Sequence, residues 1–179
     1  MPSRHTFTIK PIRELLARYV GDGKGWADPF AGENSPAEHT NDLNPAKPAT
    51  HHLHAEQFAE WCPSELNGVL WDPPYSPRQI REVYDGFGIQ GPARDFQSLA
   101  YVKRLLAPKI RMGGLAICCG WHSQGFGKGL GFAHVEILMV PHGKDHNDTI
   151  VTVERRTAHQ EVLDLASHRL TRNRNDDRT

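Results

Sequence analysis

Residues 69–77 read Val-Leu-Trp-Asp-Pro-Pro-Tyr-Ser-Pro, and this stretch decides how the 179-residue chain is interpreted. A short apolar run ends at an acid, two prolines and an aromatic residue. Two consecutive prolines fix both φ angles and remove both N–H donors, so neither a strand nor a helix interior can contain them. The sequence therefore predicts a strand over Asn67–Trp71 that ends at Asp72. Ligands bind at the carboxyl ends of the strands in open α/β sheets.

The residues at this strand end suit an exocyclic amine on a planar ring. The Asp72 carboxylate and the Pro73 carbonyl can both accept N–H bonds, and the Tyr75 ring can stack on a heterocycle. Taken alone, a rigid stop after a strand explains the same four residues, because a tetrapeptide matches many turns by chance. The rest of the chain has to separate these two interpretations.

An earlier strand also ends at an acid. Trp26–Asp28 predicts a first strand, and Pro29-Phe30-Ala31-Gly32 follows it as a bend where backbone can approach a ligand. In this order, the two strings resemble the cofactor motif and the catalytic motif of the amino-methyltransferases, which transfer a methyl group from S-adenosylmethionine to N6 of adenine in nucleic acid. The strings at 71–79 and 146–154 also resemble those of small phage-encoded adenine methyltransferases.

The resemblance covers residues 7–156 and implies roles for individual residues. The catalytic motif corresponds to Asp72, Pro73, Pro74 and Tyr75, and the implied cofactor is S-adenosylmethionine. The residues expected to bind this cofactor are Lys10, Pro11, Asp28, Pro29, Phe30, Ala31, Gly32, Asn34, Ser35, Asp42, Leu43, His54 and Ala55. Contacts with nucleic acid are expected at Ser76, Arg78, Arg81 and Lys128. The two arginines are interpreted equally well as solvated surface.

Two positions depart from the pattern of the family. The second glycine of the cofactor motif is missing, and Glu33 or Asn34 stands near its place. His54 stands where the family has an acid that receives the amino group of the cofactor's adenine. These departures favour an alternative function, a non-catalytic methyltransferase-like module that binds nucleic acid or a partner protein. The two intact strings favour the enzyme.

A second strand is predicted over Glu38–Asp42. An acid at the end of such a strand can accept hydrogen bonds from ribose hydroxyls, although an Asx-type turn before Pro45 explains Asp42 equally well. Only about eight residues separate this strand from the first one, whereas a parallel crossover usually needs a dozen or more. Either the helix between them shrinks to about one turn, or the strand is misplaced.

Further along the chain, apolar spacing predicts helices from Pro11 to Val20, from Ser76 onward and over Phe96–Ile110. It also predicts a buried strand over Leu115–Trp121 and an antiparallel hairpin of 135–140 with 149–154. The glycine-rich run at 122–131 is interpreted as mobile surface that touches nucleic acid through Lys128. Together these elements predict an α/β fold of class I (Rossmann-like) methyltransferase type: a mostly parallel sheet, flanking helices and a C-terminal hairpin. The version is minimal, with a helix and a frayed tail over 157–179.

Composition narrows the class of protein and its partners. The chain has 21 basic and 21 acidic residues, and this balance argues against nucleic-acid binding through an overall positive net charge. Its three cysteines form no disulfide framework and fit a reducing cytoplasm, and the histidines of 46–66 lack the spacing of metal ligands. One domain is expected, without a separate recognition domain. We therefore expect one of three arrangements: a weak or short sequence preference for DNA, a homodimer that lends surface, or a partner protein. RNA remains open as the substrate.

Overall fold

The computed structural model describes residues 5–74, 96–143 and 148–158, and the side chains of 96–98 are left out of that description. Three helices and six strands make up this part of the chain. In chain order they are α1 (Lys10–Tyr19), β1 (Trp26–Asp28), β2 (His39–Thr40), α2 (Ala55–Trp61), β3 (Leu66–Trp71), α3 (Phe96–Leu106), β4 (Ile110–Gly120), β5 (Phe132–Val140) and β6 (Thr149–Arg156). Short 3-10 turns occupy 6–8, 107–109 and 128–130.

The six strands form one sheet in the order β2-β1-β3-β4-β6-β5. The pairs β1–β2, β1–β3 and β3–β4 are parallel. The last strand pair is antiparallel, and β6 also runs antiparallel to β4. This mixed sheet confirms the predicted α/β fold with a C-terminal antiparallel hairpin.

Apolar side chains cover both faces of the sheet. Helices α2 and α3 pack on one face, where Phe58, Val102 and Leu106 meet Val69 of β3. Helix α1 packs on the other face, and its members of that core are Ile12, Leu15 and Leu16. Because side chains alternate along a strand, Leu70 and Ile117 face α1 while their neighbours face α2 and α3.

Helix α3 ends earlier, and β4 begins earlier, than the apolar spacing predicts. The helix was expected to reach Ile110, but it ends at Leu106, and the strand starts at Ile110 instead of Leu115. Pro108 has no N–H to continue the helix, so the chain makes a 3-10 turn over 107–109. The inner part of β4 is buried as expected, from Gly114 to Gly120.

The predicted helix between the first two strands does not form, and residues 29–38 make only turns. Pro29, Pro36 and the left-handed backbone of Gly32 (φ +58°) all oppose a helix there. The two strands are nevertheless parallel, with Ala27 opposite His39. The strand was expected to end at Asp42, but β2 ends at Thr40, so Asp42 lies two residues beyond the strand.

Some predicted elements lie outside the described residues. They are the helix from Ser76 onward and nearly all of the C-terminal helix and tail, of which the structure describes only residues 157 and 158. Within the described ranges, no helix combines the length and the apolar character needed to cross a membrane. The single-domain organisation stays a prediction.

Candidate active site

Three acidic side chains converge at the carboxyl ends of the parallel strands. Asp28 ends β1, Asp72 follows β3, and Asp42 lies just beyond β2. Burial raises the pKa of Asp28, and the negative charges of Asp72 and Asp42 raise it further, which shows that both acids lie near Asp28. The parallel strands β2, β1 and β3 are adjacent in the sheet, so their carboxyl ends bring these acids to one edge.

Asp28 organises the turn that follows it, which we call the Asp28 loop (residues 28–35). Its carboxylate is fully buried and accepts hydrogen bonds from Ser35 Oγ (2.6 Å) and from the Phe30 N–H (2.9 Å). Burial is the main cause that raises the pKa of Asp28 to about 7, and the two hydrogen bonds oppose that rise. Near neutral pH this acid therefore exchanges a proton.

Asp42 closes the same loop from the β2 side. One carboxylate oxygen accepts the Gly32 N–H (3.1 Å), and the other accepts the Asn44 N–H (2.8 Å) as in an Asx turn. Each carboxylate oxygen can accept two bonds, so each keeps one further acceptor site. A side chain added at Gly32 would meet open space, which leaves room beside this carboxylate.

Asn41 joins the Asp28 loop to the segment before α2, a role that nothing in the sequence pattern singled out. Its amide nitrogen donates to the carbonyls of Pro29 (3.2 Å) and Leu53 (3.0 Å), and its amide oxygen accepts the Leu53 N–H (2.9 Å). The backbone carbonyl of Asn41 also accepts the N–H of Ala31 (2.9 Å). An asparagine beside the acid at a predicted strand end was the signal available for it.

The segment around His54 reaches the site through these contacts. His54 is the N-cap of α2, where its N–H donates to Gln57 Oε1 (3.3 Å) and its carbonyl accepts the Phe58 N–H (2.9 Å). Ala55 is buried at the first position of the helix. The departure from the family's acid at this position is therefore accommodated as a helix N-cap next to the loop that Asn41 holds.

Asp72 lies at the centre of the edge. It is 8% exposed, Pro73 is buried and Pro74 is half-buried. Burial raises the pKa of the Cys119 thiol on β4, and the negative charges of Asp72 and Asp28 raise it further. Both acids therefore lie near Cys119. The predicted carboxylate at the end of the central strand is thus in place, close to the Asp28 loop.

The remaining predicted site residues fall into two groups. Lys10 and Pro11 are exposed in the first turn of α1, where Lys10 Nζ lies 4.0 Å from Glu14. Asn34 is exposed in the Asp28 loop, and Leu43 is half-buried beside Asp42. Tyr75, Ser76, Arg78 and Arg81 lie outside the described residues, so their roles stay predictions. Within residues 5–74, 96–143 and 148–158, no group of three or more His, Cys, Asp or Glu side chains could hold a metal ion.

The run after β4, which we call the glycine loop (residues 121–131), is not simply surface as the sequence suggested. Gly125 and Phe126 are buried, and the Glu154 carboxylate of β6 accepts the N–H groups of Phe126 and Gly127 (3.1 Å for Gly127). Lys128 is exposed, as its expected contact with nucleic acid requires. Because β4 lies beside β3 in parallel, this loop begins at the same edge as Asp72.

Comparisons with known proteins address the fold. No protein-family model matches the sequence, and no curated protein matches it. Solved structures do: 1,6-didemethyltoxoflavin-N1-methyltransferase of Burkholderia thailandensis, with bound 1,6-didemethyltoxoflavin and S-adenosylhomocysteine, has a TM-score of 0.55 at 13% identity over 83% of this chain and 78% of that chain. The N-methyltransferase NodS of Bradyrhizobium japonicum, in complex with S-adenosylhomocysteine, has a TM-score of 0.55 at 8% identity over 86% and 89%.

A third structure is the putative methyltransferase yhhF of Escherichia coli, with a TM-score of 0.51 at 13% identity over 84% of this chain and 88% of that chain. In each case the alignment spans most of both chains. Identities this low establish architecture and leave substrate and cofactor to the chemistry of the site. The chain therefore has the α/β fold of the S-adenosylmethionine-dependent methyltransferases.

Proposed function

We propose that this protein is an S-adenosylmethionine-dependent methyltransferase that methylates N6 of adenine in DNA. The observation that carries the proposal is the position of Asp72 and Pro73. They follow the central strand β3 of a methyltransferase fold, on the edge that also holds the Asp28 loop and Asp42. A rigid stop after a strand would not require a nearly buried carboxylate next to two further acids.

The charges of the site fit the proposed cofactor. Burial raises the pKa of Asp28, and the negative charges of Asp72 and Asp42 add to this rise, so a cation bound beside Asp28 would favour its ionised form. S-adenosylmethionine supplies a methyl group on a positively charged sulfonium. Asp42 has acceptor sites left for ribose hydroxyls, with open space beside Gly32, and the Asp28 loop supplies backbone next to it.

The residues of the motif have separate tasks. The target adenine leaves its stack and enters the pocket, as in other enzymes that modify a base. The Asp72 carboxylate and the Pro73 carbonyl accept the two N–H bonds of its amino group, which turns the nitrogen lone pair out of conjugation with the ring. The resemblance assigns stacking on the base to Tyr75. As the nitrogen bonds to the methyl carbon, the carbon–sulfur bond would break and S-adenosylhomocysteine would leave. The amino nitrogen is then positively charged, so its proton leaves readily to solvent and no strong base is needed.

Transfer of labelled methyl from S-adenosylmethionine tests the proposal directly. Unmethylated duplex DNA, single-stranded DNA and RNA are incubated in parallel, and the labelled nucleosides are separated. N6-methyldeoxyadenosine from DNA is the expected product. Label in N6-methyladenosine from RNA alone would replace DNA by RNA as the substrate, and label in cytosine or protein would contradict the assignment of adenine.

The second candidate function is the non-catalytic module. One observation favours it: both carboxylate oxygens of Asp42 already accept backbone N–H groups of the chain itself. Calorimetry separates the candidates, because the module would bind neither S-adenosylmethionine nor S-adenosylhomocysteine. The enzyme should bind both, and the sulfonium should displace protons from Asp28 near pH 7, which titrations in two buffers of different ionisation enthalpy would count.

A further inference from the structure

The indole of Trp71, the residue before Asp72 at the carboxyl end of β3, connects the Asp28 loop to the glycine loop. It is buried and faces α2 and α3. Its ring meets Phe30 of the Asp28 loop edge-on, with centroids 5.1 Å apart. It also meets Phe126 of the glycine loop edge-on at 5.9 Å. The ring that precedes the proposed catalytic acid therefore contacts both loops.

A cation completes this cluster. Lys103, on α3, places its ammonium 5.1 Å from the centroid of Trp71 and 5.4 Å from that of Phe126. The same nitrogen donates a hydrogen bond to the Gly125 carbonyl at 2.7 Å. An ammonium attracts aromatic faces electrostatically and offers three donors, so one group can hold two rings and a backbone carbonyl together.

We propose that Lys103 is a positioning residue for methyl transfer. It fixes the Trp71 ring against the glycine loop, and Trp71 in turn fixes the backbone of Asp72 relative to the Asp28 loop through Phe30. Lys103 lies on α3 beside the Trp71 ring, and its role in methyl transfer is exerted through that ring. This inference rests on the proposed function, because Asp72 is the group whose position it sets.

The kinetic consequence follows from the sensitivity of transfer to geometry, in which a displacement of about 1 Å can cost about 10²-fold in rate. Lys103→Met keeps an unbranched side chain one heavy atom shorter and removes the charge, and Lys103→Gln keeps an N–H donor without the charge. We expect kcat to fall about tenfold in both, with the KM for S-adenosylmethionine changed less than twofold. Lys103→Arg should recover most of the rate, because it keeps the charge and the donors.

Lys109 provides a matched control. Its ammonium also donates to backbone carbonyls, those of Glu60 (2.6 Å) and Cys62 at the end of α2. Lys109→Met removes a comparable lysine–carbonyl contact at another place in the fold. It should lower the melting temperature and leave kcat unchanged, which separates positioning from a general loss of stability.

Fluorine NMR tests the contact without relying on activity. The four tryptophans are labelled as 5-fluorotryptophan, and Trp71→Phe assigns the Trp71 signal. This signal should shift or broaden in Lys103→Met and Lys103→Gln, return in Lys103→Arg, and stay unchanged in Lys109→Met. An unchanged Trp71 signal in both neutral variants would overturn the proposed contact.

The outcomes of the two experiments separate this inference from the proposed function. Wild-type transfer together with unchanged kcat in Lys103→Met would overturn the positioning role alone. Absence of transfer by the wild-type protein on every nucleic acid would overturn the proposed function and the kinetic role with it. A tenfold lower kcat, accompanied by the shifted Trp71 signal and rescued by arginine, supports both.

Discussion

The Asp28 loop lies at the carboxyl edge of the sheet, whereas the glycine loop begins at that edge and runs to the start of β5, which pairs with Arg156 at the opposite end of the sheet. Each loop is held by a carboxylate that is inaccessible to solvent. Asp28 accepts its hydrogen bonds from residues two and seven positions further along the chain. Glu154 accepts its hydrogen bonds from residues 27 and 28 positions earlier in the chain, before β5 begins. The first loop is therefore organised by local sequence, and the second by a contact across the sheet.

The difference also extends to the electrostatics of the two loops. Asp28 faces two further acids, and burial with their repulsion raises its pKa to about 7. The glycine loop instead has the Lys103 ammonium at the Gly125 carbonyl and His134 Nδ1 at 3.8 Å from Glu154. The acidic Asp28 loop suits the cationic cofactor that we propose. The glycine loop instead contacts Trp71, at the end of β3. The proposed function places the reacting acid, Asp72, in neither loop but at that strand end.

The largest expected effect tests this assignment at Asp72. Asp72→Ala should lower the rate of methyl transfer by about 10³-fold, because it removes an acceptor that orients the amino group. Rapid-quench measurement of labelled transfer gives the rate, and thermal melting checks that the fold persists. Asp72→Asn, which keeps one carbonyl oxygen as acceptor, should lie between the alanine variant and the wild type. A rate unaffected by the alanine change would move the chemistry away from this strand end.

The next effect concerns the stability of the protein as a function of pH. The folded state holds the proton of Asp28 up to about pH 7, whereas the unfolded chain releases it near 3.8, so the folded state binds more protons in between. Stability therefore decreases as pH rises from about 4 to about 7. With about three pKa units at 1.36 kcal/mol each, the decrease is up to about 4 kcal/mol.

Asp28→Asn isolates this contribution. The variant should unfold with a free energy close to that of the wild type near pH 4 and higher than it at pH 8, because the amide never ionises. Urea denaturation at intervals between these pH values measures the difference. Parallel curves for the two proteins across the window would show that Asp28 titrates as an ordinary carboxyl.

The glycine loop makes a steric prediction at Gly125. A Cβ added there would lie 1.9 Å from Glu154 Oε2 and 2.5 Å from its Cδ, so the buried carboxylate would have to move. Gly125→Ala should destabilise the protein by about 3 kcal/mol, the upper end for overpacking a well-packed site. Gly129→Ala is the matched control in the same loop, because a Cβ there meets nothing within 4 Å. Equal denaturation midpoints for both variants would contradict the packing of Glu154 beneath the loop.

Local patterns in the sequence predicted the parts of the site that local contacts build. Pro73 and Pro74 end β3 at Asp72, and Asp28 with Phe30 and Gly32 makes its turn within a few residues, so these positions could be predicted from the chain itself. The mostly parallel sheet with its C-terminal hairpin was also predicted from local patterns, whereas the order of the strands was observed only in the structure. The fold was therefore the more predictable part.

The errors lie where distant residues decide the conformation. The glycine loop resembled mobile surface because the acid that binds it lies on β6, and no pattern of glycines indicates that partner. Asn41 was missed for the same reason, since its amide joins segments 12 residues away on either side. The predicted end of helix α3 is wrong for a local reason instead: apolar spacing continues past Pro108, a residue that cannot propagate a helix.

The smallest effect distinguishes the two buried carboxylates most sharply, because each is replaced by the amide of the same length. Asp28→Asn loses little near pH 4, since one of its donors is the Ser35 hydroxyl, which can reverse and accept from the new amide. Both donors to Glu154 are backbone N–H groups, which cannot reverse.

Glu154→Gln must therefore point its amide NH₂ at one of these N–H groups and leave it unsatisfied. We expect a loss of about 1–2 kcal/mol in unfolding free energy. We also expect faster hydrogen exchange at the amides of Phe126 and Gly127, with Phe30 unaffected. If Glu154→Gln lowered the unfolding free energy no more than Asp28→Asn does near pH 4, Glu154 would not be the acceptor that holds the glycine loop. The loop would then depend on Lys103 and the packing of Phe126 alone.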